Sequence, residues 1–178
     1  MSPSLTYHGI HHTLDVLEQV ERLAAEEGVD KKEDLLLLKI AALYHDSGFL
    51  TAYKGHEEVG CELAKKELPG FGVNEKNIEK ICGMIMATKI PQSPHNEFEK
   101  IICDADLDYL GRNDFFTIAH SLFQELKALG MVKDENEWNH IQVNFIGKHK
   151  YFTPSSIRDR EKSKQKHLKE VERLIEPE

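Results

Sequence analysis

Apolar residues recur at helical spacing along almost the whole chain, and no segment alternates apolar and polar residues between turn signals as a half-buried strand does. The expected fold class is therefore all-α, a helical bundle. Thr13, Val16, Leu17, Val20, Leu23 and Ala24 mark one face of a first helix that stops at Gly28. The run from Asp34 to Tyr44 is apolar nearly all round, as expected of a helix at the centre of a bundle, and His45 and Asp46 stand at its end. A third helix is expected to turn Val59, Leu63 and Ala64 inward and to end near Pro69 and Gly70. Asn74 is placed to cap a fourth, with Ile78, Ile81, Cys82, Ile85 and Met86 on its buried face. Pro91 and Pro94 enforce a loop. The segment Asn96 to Leu110 then reads as a shorter helix that carries Asp104, Asp106 and Asp108 and is closed by Gly111.

Three further helices are expected after it. Phe115, Ile118, Ala119, Leu122, Phe123, Leu126 and Leu129 form a stripe closed by Gly130. Asp134 and Glu137 have capping-box spacing ahead of Trp138, Ile141, Phe145 and Ile146. Thr153 and Pro154 suit the N-cap and first position of a last helix that carries Leu168, Val171, Leu174 and Ile175. The mixed charges from Arg158 to His167 suggest an exposed face of it. With 178 residues and no long linker, one domain spanning 1–178 is the expectation, burying roughly 70% of the unfolded surface.

The net charge of −8 argues against a duplex nucleic-acid partner, which needs a basic surface. No stretch is apolar and long enough for a membrane span, and no export signal is visible, so a cytoplasmic location is expected. Cys61, Cys82 and Cys103 form no CxxC pair and are expected to be buried free thiols.

An imidazole beside a carboxylate at the end of a buried helix is costly unless both are paired or hold a metal. Alone, the dipeptide His45-Asp46 leaves a structural pair and a metal site both open. Two further segments bear on the choice: Tyr7-His8-Gly9-Ile10-His11-His12-Thr13-Leu14-Asp15-Val16 upstream, and Cys103-Asp104-Ala105-Asp106-Leu107-Asp108 downstream. Together with Ala41-Ala42-Leu43-Tyr44-His45-Asp46-Ser47-Gly48 they resemble the H…HD…D signature of HD-superfamily metal-dependent phosphohydrolases, over residues 5–111. The resemblance implies an HD-type bundle with a central metal site, held by His12, His45, Asp46 and Asp106. Nitrogen and carboxylate donors suit one tightly bound Mn, Fe, Co, Ni, Zn or Mg ion.

By the same resemblance, His8 matches a histidine that protonates the leaving group in the phosphodiesterase branch. His56 matches a second-metal ligand of the binuclear branch. The further histidines of that branch are missing at Met86-Ala87-Thr88-Lys89, so His56 is expected to assist catalysis or bind phosphate, with Asp46. Lys54 and Lys89 are candidate phosphate-binding cations, His11 is expected on the surface, and Asp108 on the surface or at a cap. Asp104 is a candidate for orienting a ligand histidine. The implied activity is hydrolysis of a small phosphorylated metabolite, a nucleotide being favoured. A non-catalytic metal- or nucleotide-binding HD module is the alternative, and a diiron oxygenase would need ligands the Thr88-Lys89 stretch lacks.

Overall fold

A computed structural model describes residues 5–175. Eight α-helices, and no strand among the described residues, follow in order: α1 Ile10–Glu26, α2 Lys32–Tyr44, α3 His56–Glu67, α4 Glu75–Ala87, α5 Glu97–Asp106, α6 Phe115–Ala128, α7 Glu135–Lys148 and α8 Pro154–Glu172. One-turn 3-10 helices cover Ser47–Leu50, Leu68–Phe71 and Asp108–Gly111. Contacts gather the chain into two compact units, His8–Asp106, and residues 5–7 together with 107–175. Among the described residues, no helix is long and apolar enough to cross a membrane, and all three cysteines are free and buried.

In the first unit, α2 packs against α1, α3, α4 and α5, so it is central as its composition suggested. It is not enclosed, however: Leu37, Leu38, Ala41 and Ala42 are buried, whereas Leu36 and Leu43 remain 55% and 47% exposed. The first helix buries Val16, Val20, Leu23 and Ala24 as expected, and Gly28 follows it at φ +76°, a left-handed conformation open to glycine at little cost. Asn74 caps α4 by accepting from the Asn77 amide at 2.9 Å. Asn96 and Glu99 close the start of α5 reciprocally: Asn96 Oδ1 accepts from the Glu99 amide, and Glu99 accepts from the His95 amide.

Two helix faces are rotated from expectation. In α3 the buried residues are Glu57, Gly60, Cys61 and Ala64, while Val59 and Leu63 lie at the boundary. In α4, Met84 and Ala87 are buried and Met86 is exposed. Small residues explain the first case. A Cβ on Gly60 would stand 2.8 Å from the Tyr44 carbonyl oxygen, so α3 lies close against the end of α2 along its glycine and alanine side. Apolar residues alone did not mark that face.

In the second unit, Asp134 caps α7 by accepting from the Glu137 amide, while Glu137 accepts from the Lys133 amide. Thr153 caps α8 by accepting from the Ser156 amide. Ile141 is exposed on α7, where Trp138, Gln142 and Ile146 are buried. The mixed-charge run of α8 is not simply an exposed face. Lys164 is fully buried, donates to the His149 carbonyl at 2.8 Å and pairs with Glu161 at 2.9 Å. His167 is buried as well.

Asp108 also departs from expectation, being fully buried and ion-paired to Arg160 at 2.9 Å and Arg112 at 3.7 Å. The cause is local: α5 ends at Asp106, not near Gly111, and a separate turn starts at Asp108. Removing Arg160 takes away the closer of the two guanidinium partners and leaves Arg112 alone, so Arg160→Ala should destabilise the protein by roughly 1–3 kcal/mol, measured by denaturant unfolding.

Gly48 supplies a sharper test. A Cβ there would lie 1.9 Å from the His56 carbonyl oxygen, whereas one on Gly147 in α7 would meet nothing within 4 Å. Gly48→Ala should therefore cost about 3 kcal/mol or more, and Gly147→Ala should be neutral or stabilise by roughly 0.5–1 kcal/mol. Equal unfolding midpoints for the two variants would contradict the close approach.

Candidate metal centre

The site begins where helices end. His12 lies in the first turn of α1, His45 and Asp46 follow the last residue of α2, and Asp106 is the last residue of α5. Packing of α1 against both α2 and α5 brings the three ends together within the first unit. The turn Ser47–Leu50 fixes the chain just beyond: Ser47 Oγ donates to the Tyr44 carbonyl at 2.7 Å, and the Phe49 amide donates to the Asp46 carbonyl at 3.1 Å.

His12, His45 and Asp46 are all buried and form the metal-competent group found among the described residues. The Nε2 atoms of His12 and His45 lie 3.3 Å apart, and Asp46 Oδ2 is 3.4 Å from the first and 3.3 Å from the second. Asp106 Oδ1 lies 3.1 Å from His12 Nε2 and 3.6 Å from His45 Nε2. Donors held about 2.1 Å from a tetrahedral or octahedral ion stand roughly 3.0–3.4 Å from one another, close to these separations. The His45 Nδ1 is 2.8 Å from the Ala42 carbonyl, so Nδ1 donates there and Nε2 offers a lone pair inward.

Asp46 Oδ2 is buried and has no hydrogen-bond partner, a costly state for a carboxylate oxygen and one that a cation relieves. The electrostatics agree. Burial pushes the His45 ring down, but the Asp46 and Asp106 carboxylates outweigh it and carry its pKa well above the usual range. Burial pushes both carboxyls up, yet His45 and His12 hold Asp46 well below the carboxylate range and bring Asp106 down to about 2. The cluster thus demands positive charge, which a divalent ion can supply in place of protons. The residues present fit a metal.

Beside these donors lies an aromatic group. His8 precedes α1 instead of belonging to it, and its ring lies 6.2 Å from that of His12. His56 opens α3 with Nδ1 3.2 Å from the Tyr53 carbonyl and Nε2 3.5 Å from both Asp46 Oδ1 and Glu57 Oε1. Phe49 and Tyr53 complete the group. Sequence inspection did not single out Phe49, Tyr53 or the buried Glu57. Phe49 and Tyr53 sit in a short turn and a loop with no periodic stripe, and only their position after His45-Asp46 could have signalled them.

His11 is exposed as expected, and Asp104 is fully buried. Lys54 is an exposed loop cation. Lys89 is exposed and ion-paired with Glu58. Thr88 is buried and its hydroxyl donates to the Ile85 carbonyl at 2.8 Å.

The sequence model of the HD domain family matches residues 9–108, and the chain belongs to that family. HD domains are metal-dependent, in keeping with the His12, His45 and Asp46 group. Among solved structures it is similar to a predicted HD superfamily hydrolase from an uncultured Thermotogales bacterium, with a TM-score of 0.58 and 24% identity over 94% of this chain and 79% of that one. At that identity the likeness concerns the fold, and it agrees with the all-α HD-type bundle expected from the sequence. A comparison with curated proteins finds no match.

The donor geometry leads to one expectation independent of substrate. Restoring a divalent ion to metal-stripped protein should raise its stability, by about 2.7 kcal/mol at a hundredfold excess over the dissociation constant. His45→Ala and Asp46→Ala should lose both the ion and the stabilisation, while His11→Ala keeps them. Elemental analysis and thermal melts read the two quantities.

Proposed function

We propose that this protein is a metal-dependent phosphohydrolase acting on a small phosphorylated metabolite, with a nucleotide as the favoured member of that class. The observation that carries the proposal is the buried convergence of two imidazole nitrogens on Asp46 Oδ2, an oxygen with no hydrogen-bond partner. His12, His45, Asp46 and Asp106 would hold one tightly bound ion of the Mn, Fe, Co, Ni, Zn or Mg group. When bound, such an ion lowers the pKa of a coordinated water from ~16 to ~7 and polarises a phosphoryl oxygen.

The chain's own residues supply the rest. Asp46 is assigned to orient the attacking water, its Oδ1 facing His56 Nε2 at 3.5 Å. His56, with Nδ1 turned to a backbone carbonyl, presents Nε2 to substrate phosphate. His8, in the same aromatic group, is assigned as the acid that protonates the departing oxygen. Lys54 is an accessible partner for phosphate, and Lys89 would exchange Glu58 for it. Both units are taken as parts of one domain. The full set of candidate donors favours an enzyme over a module that only binds.

The test is a nucleotide panel assayed on metal-stripped protein after reconstitution with several divalent ions. Hydrolysis of at least one member is expected, with metal dependence; none across the panel with the ion restored would defeat the nucleotide reading, and none across small phosphomonoesters and phosphodiesters as well would defeat the proposal. His8→Ala should lower turnover by roughly 10²–10⁴-fold while metal content stays near normal. His56→Ala should keep the ion and impair activity. Loss of metal in His8→Ala would instead make His8 a ligand.

A further inference from the structure

Beside the metal donors one aromatic residue has no acid, base or ligand chemistry of its own. Phe49 lies in the turn Ser47–Leu50 immediately after Asp46 and is 8% exposed. His8 stacks on its ring at a centroid distance of 4.2 Å and an interplanar angle of 29°. His56 stacks on it too, at 3.9 Å and 22°. Tyr53 meets it edge-on at 5.0 Å and 68°. Two imidazoles from distant segments of the chain therefore share one phenyl ring as a packing surface.

A hydrocarbon ring suits this task. It fixes the plane of an imidazole by stacking yet competes for neither ring nitrogen, and it accepts the neutral and protonated forms alike. An aliphatic side chain fills the space without offering a face, and a polar one adds a competing hydrogen bond. His56 has a second restraint, its Nδ1 lying 3.2 Å from the Tyr53 carbonyl, which leaves Nε2 toward Asp46 Oδ1. Gly48 meets the backbone of His56, so consecutive residues hold that histidine by its backbone and by its ring.

We propose that Phe49 is a positioning residue whose ring sets the planes of His8 and His56, directing their nitrogens to the phosphate beside Asp46. What the two rings act on rests on the phosphohydrolase proposal; how they are held does not. The two parts are separable by experiment.

Imidazole C–H signals of the metal-stripped full chain, assigned with His8→Gln and His56→Gln, report the stacking directly. Ring current from Phe49 should shift the His8 and His56 signals upfield of exposed His11. Phe49→Leu should release those shifts and Phe49→Tyr keep them. In reconstituted enzyme, Phe49→Leu should lower kcat by roughly 10²-fold with a smaller change in KM and unchanged ion content, and Phe49→Tyr should recover most of the loss. Unshifted His8 and His56 signals in the wild-type chain would overturn the proposal, as would wild-type kcat in Phe49→Leu. If Phe49→Leu does not fold, the wild-type spectrum decides alone. If the wild type hydrolyses nothing, the phosphohydrolase reading falls while the spectra still decide the positioning.

Discussion

The first unit is organised around a burial that cannot stand uncompensated. Two imidazoles and two carboxylates meet at the ends of α1, α2 and α5, with His12, His45 and Asp46 almost wholly withdrawn from water. Apolar packing along Val16, Val20, Leu38, Ala41, Ile101 and Ile102 forces that meeting, because these residues put the three helices in contact just behind the polar ends. The hydrophobic core thus provides the free energy that concentrates charge, on the order of 25 cal/mol for each Å² of apolar surface buried. The convergent nitrogens and Asp46 Oδ2 then have no low-energy state without added positive charge.

Backbone proximity matters as much as the donors. Gly48 and Gly60 each leave no room for a methyl group without displacement, the first against His56 and the second against Tyr44. Both are contacts between α3 and the chain around His45-Asp46. They hold the start of α3, and with it His56 and Glu57, beside the carboxylate of Asp46. The glycine that follows the His-Asp pair therefore has a packing reason within the site, apart from any freedom of its own backbone.

Much of this was legible in the sequence, and the misses share a physical origin. Helix existence, order and most caps followed from periodicity and from Asn74, Asp134 and Thr153, because those signals are local. The grouping of His12, His45 and Asp46 agrees with where the H…HD…D resemblance implies a metal, on segments that are helix ends. Hydrophobicity points Val59 and Leu63 inward, but Gly60, Cys61 and Ala64 occupy that face of α3 because close helix approach selects by size. The mixed charges from Arg158 to His167 suggest exposure, yet for Lys164 within them a carbonyl, a carboxylate and the Tyr151 ring 4.9 Å away make burial tolerable. Such partners are tertiary, and no window of sequence contains them.

The segment Asp104-Ala105-Asp106-Leu107-Asp108 shows how a small break in a helix divides similar residues between different tasks. On a continuous helix Asp106 and Asp108 would point away from each other, with at most one buried. Instead α5 stops at Asp106, Leu107 adopts φ −109° and ψ 17°, and a tighter turn starts at Asp108. Asp108 ends up fully buried and Asp106 half-buried, and both are ion-paired, Asp106 with His12 and His45, and Asp108 with Arg160 and Arg112. The distinction is in the partner. Guanidinium groups bring permanent charge to Asp108 from within the protein. Asp106 faces imidazoles, whose charge is not permanent but depends on whether the ring is protonated.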